Sequence, residues 1–395
     1  MDHVRNPFAP GAGTQPPELA GRQAIIEDAK TALQRALLGK QCRSQILLGL
    51  RGVGKTVLLN KIEQTADRLN HLTSFIEAPE GKRLSALIVP KALQTLQRLS
   101  VQTAAKAKAV SALRALRSFA SAFKLNFGEV GLSVEPEPGV ADSGNLEYDL
   151  TDLFIRIGEA AASAGRCWTL LIDEVQYLRQ EDFAALIVAI HKVNQRSLPI
   201  LFFGAGLPQV AALSGEAKSY AERLFSYPSV GPLDEPASDA AVRLPIEDEG
   251  EAIELAALAD IFRRTRGYPY FLQEWGYQAW NVAAQSPITL ADIDLASSQA
   301  LKRLDDGFFK VRFDRLTPKE RDYVVAMAKL GKGPYKSSEV ADVLGVEVQS
   351  LGPRRASIIS KGMIYSPAHG DIAFTVPLFE DYLARNWMTG PPVEP

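Results

Sequence analysis

Eight consecutive residues, Gly49-Leu50-Arg51-Gly52-Val53-Gly54-Lys55-Thr56, constrain this chain more than any other part of it. They fit G-x-x-x-x-G-K-[ST] at every fixed position. They stand between an apolar run, Ile46-Leu47-Leu48, and residues suited to a helix, Val57, Leu58, Leu59 and Ile62. Glycines at this spacing let backbone N–H groups turn inward around phosphate oxygens. A helix that starts at the end of the turn adds the partial positive charge of its N-terminus. Lys55 would then reach the β- and γ-phosphates of ATP, and the Thr56 hydroxyl would ligate Mg²⁺. Gly49, Arg51, Gly52, Val53, Gly54 and Val57 would complete the cradle. A strand before the turn and a helix after it call for an α/β fold built on a parallel sheet.

A second apolar run supplies the rest of such a site. Trp168-Thr169-Leu170-Leu171-Ile172 ends in Asp173-Glu174. In isolation that would be an ordinary strand-end turn. Downstream of a complete phosphate loop, it offers Asp173 to the water shell of a metal ion. It also offers Glu174 to orient and deprotonate an attacking water. Phosphoryl transfer asks mainly for such positioning and charge neutralisation. Ser74-Phe75-Ile76 and residues 199–203 read as further strands, with helix-like segments between them.

A length of 395 residues suits two or three domains. The net charge of −2 excludes a uniformly basic nucleic-acid coat but allows a local basic surface. Cys42 and Cys167 each precede an apolar run and read as buried, reduced thiols. No apolar run is long enough to span a bilayer, and the first residues lack a signal-like apolar stretch. The expectation is a cytoplasmic protein with no membrane partner.

The small total charge hides a separation. Nine basic and no acidic residues lie between Gly81 and Gly128, whereas eleven acids face three arginines between Glu135 and Asp182. Residues 103–123 suit a helix with an apolar stripe of Val110, Leu113, Leu116, Ala120 and Phe123. Lys106 and Arg117 share one side of it, with Arg114 further round. Phe123 to Val134, alternating around Gly128 and Gly131, suggests a hairpin. This basic block is either a solvated face or a surface for an acidic or polyanionic partner.

From Leu316 the pattern changes again. Thr317 as N-cap, Pro318 in the first turn and Glu320 closing a capping box start a helix. Ser337 to Leu344 is a second helix, stopped by Gly345. Gln349 to Ser360 is a third, with Pro353 in its first turn. Met363-Ile364-Tyr365, a His369-Gly370-Asp371 turn and Ile372-Ala373-Phe374-Thr375 follow as a hairpin, and Leu378 to Trp387 as a last helix. That order is a winged helix-turn-helix, whose recognition helix can enter a DNA groove. Residues 315–361 carry nine basic and five acidic residues. Ser350, Arg354, Arg355 and Lys361 are the candidates for phosphates or base edges. Winged helices also dock proteins, and that alternative is open.

Together the phosphate loop, the Asp-Glu strand, a helical lid and the C-terminal helix-turn-helix resemble the AAA+ ATPases of the replication-initiator and STAND-like groups. Gly21-Arg22-Gln23 resembles a motif that opens such domains beside the adenine, which implies nucleotide contact for Arg22. Gly267-Tyr268-Pro269 resembles the lid's Gly-x-Pro motif, which implies that Pro269 packs near the base. Tyr270 stands where many lids have a phosphate-sensing arginine. Gly204-Ala205-Gly206 ends the strand where many relatives carry a polar side chain, which implies slow turnover. Arg223 falls where an arginine finger reaches a neighbour's γ-phosphate; an intrachain ion pair is the alternative. The implied division is an extended N-terminal arm (1–17), a P-loop ATPase core (18–232) with a basic helical and hairpin insert at about 82–134, a helical lid (233–313) and a winged helix-turn-helix domain (314–395). The implied function is an ATP-binding, slowly hydrolysing AAA+/STAND-type switch. It would assemble as a homo-oligomer with ATP and bind DNA through the winged helix. The alternative is a signalling or scaffold ATPase whose winged helix docks protein partners.

Overall fold

The computed structural model describes residues 1–11, 13–125, 134–368 and 370–388. The chain forms two compact units. One comprises Arg22–Gly49 and Lys55–Val230; the other comprises Met1–Gly21, Leu50–Gly54 and the chain from Gly231.

The first unit is α/β. Its elements in order are α1 (Gln23–Leu37), β1 (Ser44–Leu48), α2 (Lys55–Arg68), β2 (Leu72–Glu77), α3 (Leu84–Ser100), α4 (Lys106–Ala122), α5 (Leu146–Ser163), β3 (Trp168–Asp173), α6 (Gln180–Gln195), β4 (Ile200–Gly206), α7 (Val210–Ala217), α8 (Ala221–Leu224) and β5 (Phe225–Ser226). The five strands form one parallel sheet in the order β2-β3-β4-β1-β5. Strands β3 and β4 are buried along their whole length, which is why they read as unbroken apolar runs. Edge strand β2 instead alternates between buried and half-exposed residues.

The last strand departs from the sequence pattern. Pro228-Ser229-Val230 suits a strand, but the ladder forms at Phe225–Ser226 and continues only as a single bridge from Ser229 to Leu48. Pro228 has no N–H to donate, so the ladder cannot run through it. Its carbonyl accepts from the Leu48 N–H at 3.0 Å.

The basic block is part of this core. Leu84, Ile88 and Leu96 of α3 and Leu113, Leu116 and Phe119 of α4 are buried in the same cluster as the sheet. The apolar stripe of α4 is rotated from the expected one. Ala109, Ala112 and Phe119 are buried, while Val110 and Phe123 are half-buried. Arg117 is half-buried and donates to the Val134 carbonyl, so it leaves the basic face. Lys106, Lys108 and Arg114 remain exposed. Part of the acidic stretch pairs within the unit, as Arg83–Glu181 at 3.3 Å and Arg156–Glu137 at 3.5 Å. The expected hairpin falls mostly on 126–133, outside the described residues. Cys167 is buried as expected, whereas Cys42 is only half-buried.

The second unit contains α9 (Glu235–Asp248), α10 (Leu255–Thr265), α11 (Pro269–Val282), α12 (Leu290–Arg303), a π-helical turn (Leu304–Phe309) and α13 (Lys310–Phe313). It continues with α14 (Pro318–Lys329), β6 (Tyr335–Lys336), α15 (Ser337–Leu344), α16 (Gly352–Ser360), β7 (Ile364–Tyr365), β8 (Asp371–Phe374) and α17 (Phe379–Trp387). The strands pair antiparallel in the order β6-β8-β7. The segment expected as an extended arm is docked on α11. Phe8 is buried against Gly276, and Trp280 donates its indole N–H to the Asp2 carbonyl at 2.7 Å. Gly267 links α10 to α11 with φ +68°, and any side chain there would collide with the Leu233 carbonyl, so only glycine fits.

Two buried groups make this fold sensitive to acid in separate pH windows. His71 precedes β2 and holds Thr169 through Nδ1 at 2.8 Å; burial lowers its pKa to about 4. Below about pH 6.5 the unfolded chain gains a proton that the folded chain refuses. Stability of the first unit therefore falls between that pH and about 4. In the second unit, burial alone would raise the Glu320 pKa. Hydrogen bonds from Lys361 (2.6 Å), Ser357 (2.6 Å) and the Thr317 N–H (2.7 Å) outweigh it and bring the pKa to about 2. That contribution is present above about pH 4.5 and lost as pH falls towards 2. Each shift is worth on the order of 3 kcal/mol. In thermal melts against pH, His71→Gln is expected to flatten only the upper window and Glu320→Gln only the lower one.

Candidate nucleotide site

The strand order sets the geometry. β1 and β3 flank β4, with Leu48 opposite Gly206 and Ile172 opposite Gly204. The loop that leaves β1 and the carboxylates that end β3 therefore emerge at one edge, outside the carboxyl ends of the strands, where α/β sheets bind ligands. Thr56, in the first turn of α2, donates its hydroxyl to Asp173 Oδ2 at 2.5 Å. Lys55 is 6% exposed, and its ammonium donates to the Gly49 carbonyl at 2.9 Å. Gly49 in turn donates its N–H to the Gly206 carbonyl at 3.1 Å. Burial raises the pKa of Asp173, while hydrogen bonds from Thr56 and from the Glu174 N–H at 2.8 Å pull it down.

Glu174 adopts a left-handed backbone, φ 54° and ψ 43°, between β3 and a short 3-10 turn, Val175–Tyr177. For a residue with a Cβ this costs about 1–2 kcal/mol. The Glu174 carboxylate accepts from the side-chain amide of Gln176. The other end of that amide, Oε1, accepts from the Leu207 N–H at 3.2 Å, just past the end of β4. Gln176 has no counterpart among the motif residues. The sequence hint was the missing polar side chain in Gly204-Ala205-Gly206.

These residues fit Mg²⁺ and a nucleotide phosphate. One hydroxyl and one carboxylate, both hard oxygen donors, meet beside a buried ammonium and a helix N-terminus. Among the described residues no group of three or more His, Cys, Asp or Glu could cage a metal alone. A Mg²⁺ ion held by few protein ligands, with waters and phosphate oxygens completing its shell, matches this donor set.

The apex of the phosphate loop, Leu50–Gly54, groups with the second unit. There the Gly52 carbonyl accepts from the Tyr270 N–H at 3.3 Å, and a Cβ on Gly52 would lie 3.0 Å from the Tyr268 ring. Val53 is buried, and Pro269 takes the first position of α11. A side chain on Gly362, in the turn after α16, would collide with the Arg51 guanidinium. Arg312, which no motif marked, stacks 3.8 Å above the Phe308 ring; burial and the nearby Arg51 lower its pKa to about 10. Arg22 is buried at the start of α1, and Val57 is half-buried in α2. Arg223 lies exposed on α8 and forms no intrachain ion pair among the described residues.

The four candidate nucleic-acid contacts are unequal. Lys361 is committed to Glu320, and Arg355 donates to the Ser337 hydroxyl at 3.0 Å. Ser350 donates its hydroxyl to the Glu347 carbonyl at 2.7 Å, and Arg354 is half-exposed on α16.

Residues 18–203 match the family model described as "AAA ATPase domain". The chain carries an AAA ATPase domain. Residues 306–383 match a second model, described as a domain of unknown function (DUF8462). The fold also recurs in a solved structure, the Walker-type ATPase paby2304 of Pyrococcus abyssi. That match has 16% identity and a TM-score of 0.56, over 92% of this chain and 96% of that one. The Aeropyrum pernix ORC1 protein, solved in complex with DNA, matches at 15% identity and a TM-score of 0.45, over 97% and 96% of the two chains. No curated protein sequence matches the chain. None of its helices, among the described residues, is long and apolar enough to cross a membrane.

Proposed function

We propose that this AAA-type ATPase is a slow, Mg²⁺-dependent ATP hydrolase that acts as a switch. The observation that carries the reading is the 2.5 Å pair of Thr56 and Asp173 beside the buried Lys55. Thr56 and Asp173 would hold the ion, which when bound neutralises phosphate charge. Lys55 binds the phosphates, and Glu174 takes the proton of the attacking water. Slow turnover is the reading of Gly204-Ala205-Gly206, a strand end with no polar side chain of its own. The contact of Arg51 with Gly362 supports switching, because it joins the tip of the phosphate loop to the C-terminal module. The three helices and three-stranded sheet among the described residues of 318–374 support reading that module as a winged helix, with 233–313 as the lid. Exposed Arg223 is the candidate to complete a neighbour's site in an ATP-bound homo-oligomer.

DNA is the partner that best fits the winged helix, with Arg354 as its open contact. In a DNA titration with ATP and Mg²⁺ at two salt concentrations, Arg354→Ala is expected to weaken binding. It should also reduce the slope of log affinity against log salt by about 0.9. Lys361→Gln should leave that slope unchanged, because Glu320 already neutralises the charge. The internal commitments of Lys361 and Arg355 favour a second reading, a protein-docking winged helix. Salt-independent or undetectable DNA binding would select it.

A further inference from the structure

We infer that Gln176 is a positioning residue for Glu174 and brings to the end of β4 the polar group that the strand itself lacks. It rests on the reading of Glu174 as the base. The case starts from the donors. The Leu207 N–H can only donate, so the Gln176 amide must present its oxygen there, at 3.2 Å. Its –NH₂ end then has to face Glu174, where it donates to the carboxylate. The amide thus acts as a strut with one fixed polarity, anchored on backbone at one end and holding the functional carboxylate at the other.

The neighbouring residues make room for it. A Cβ on Gly206 would lie 2.9 Å from Gln176 Oε1 and 2.7 Å from Val210 Cγ2. A side chain at the end of β4 would displace the strut, so the missing polar residue there and the presence of Gln176 are two sides of one arrangement. The left-handed backbone of Glu174 adds a reason for the strut, since a strained residue keeps one orientation only when its surroundings fix it.

The test compares Gln176→Met and Gln176→Glu, each alone and combined with Glu174→Gln, in the full chain. ATP affinity and single-turnover hydrolysis are both measured. Gln176→Met keeps the length but removes both hydrogen bonds. ATP affinity should stay within about threefold while the hydrolysis rate falls about tenfold. Gln176→Glu keeps an acceptor for Leu207 and so guards against simple misfolding. It sets a carboxylate against Glu174 and should lose at least as much. In the Glu174→Gln background, Gln176→Met should change the rate by less than about twofold, because a residue that acts through another adds nothing once that one is gone. The inference is overturned if Gln176→Met hydrolyses at the wild-type rate or faster. An undiminished loss in the Glu174→Gln background overturns it too. A Glu174→Gln protein with wild-type turnover overturns the reading of Glu174 itself. An inactive Glu174→Gln beside a fully active Gln176→Met removes the strut alone.

Discussion

Lys55→Ala is expected to lower ATP affinity by about 100-fold or more while the protein stays folded. Lys55 is buried at the start of α2, and its ammonium already sits at the Gly49 carbonyl. A cation held there in advance meets phosphate oxygens with little loss of side-chain freedom. Charge-assisted hydrogen bonds are each worth about 1.5–3 kcal/mol. Two of them convert to roughly a 10²- to 10⁴-fold change in Kd. Alanine retains the helix start, so the fold should survive, and circular dichroism with a thermal melt checks that. Equilibrium titration of ATP with Mg²⁺ then gives the effect. Near-wild-type affinity in a folded Lys55→Ala protein would remove the nucleotide from this loop.

The parts legible in the sequence share a physical reason: their signals are local. β1 and β3 are short apolar runs bounded by residues with one plausible chemistry each. The loop of 49–56 needs glycines at fixed spacing whatever surrounds it. In the C-terminal module, Thr317 and Glu320 form the expected capping box with Pro318 in the first turn, and Gly345 ends α15 in a left-handed conformation. The parts that were not legible depend on partners distant in the sequence. Arg117 lies on the expected side of α4, yet the Val134 carbonyl takes it out of the basic face. Lys361 looks available until Glu320, 41 residues earlier, is seen to hold it. Gln176 carries no motif signal of its own, because its function depends on where β4 ends. Pro228 is a case where local pattern and pairing differ. Tyr227 and Val230 suit a strand, but the named strand ends at Ser226 and only a single bridge at Ser229 follows. The sheet and the residues around Thr56 and Asp173 follow from local pattern, while the links between elements depend on contacts that only the folded chain makes.

Glu174→Gln is expected to leave ATP affinity within about threefold of wild type and to reduce turnover by about 10²- to 10⁴-fold. The two expectations together make the experiment informative. Glutamine matches glutamate in shape, so its side-chain oxygen can still accept from the Gln176 amide as the carboxylate does. Thr56, Asp173 and Lys55 keep their own contacts, so phosphate and metal binding have no reason to weaken. The one property lost is basicity. An amide oxygen can orient a water but cannot take its proton, so the substitution separates positioning from proton transfer. ATP binding is read by titration, and hydrolysis by phosphate release under single-turnover conditions. A rate that falls while binding holds identifies Glu174 as the proton acceptor. A rate unchanged from wild type, in protein that binds ATP normally, would reduce the role of Glu174 to holding water in place and leave the proton to another acceptor.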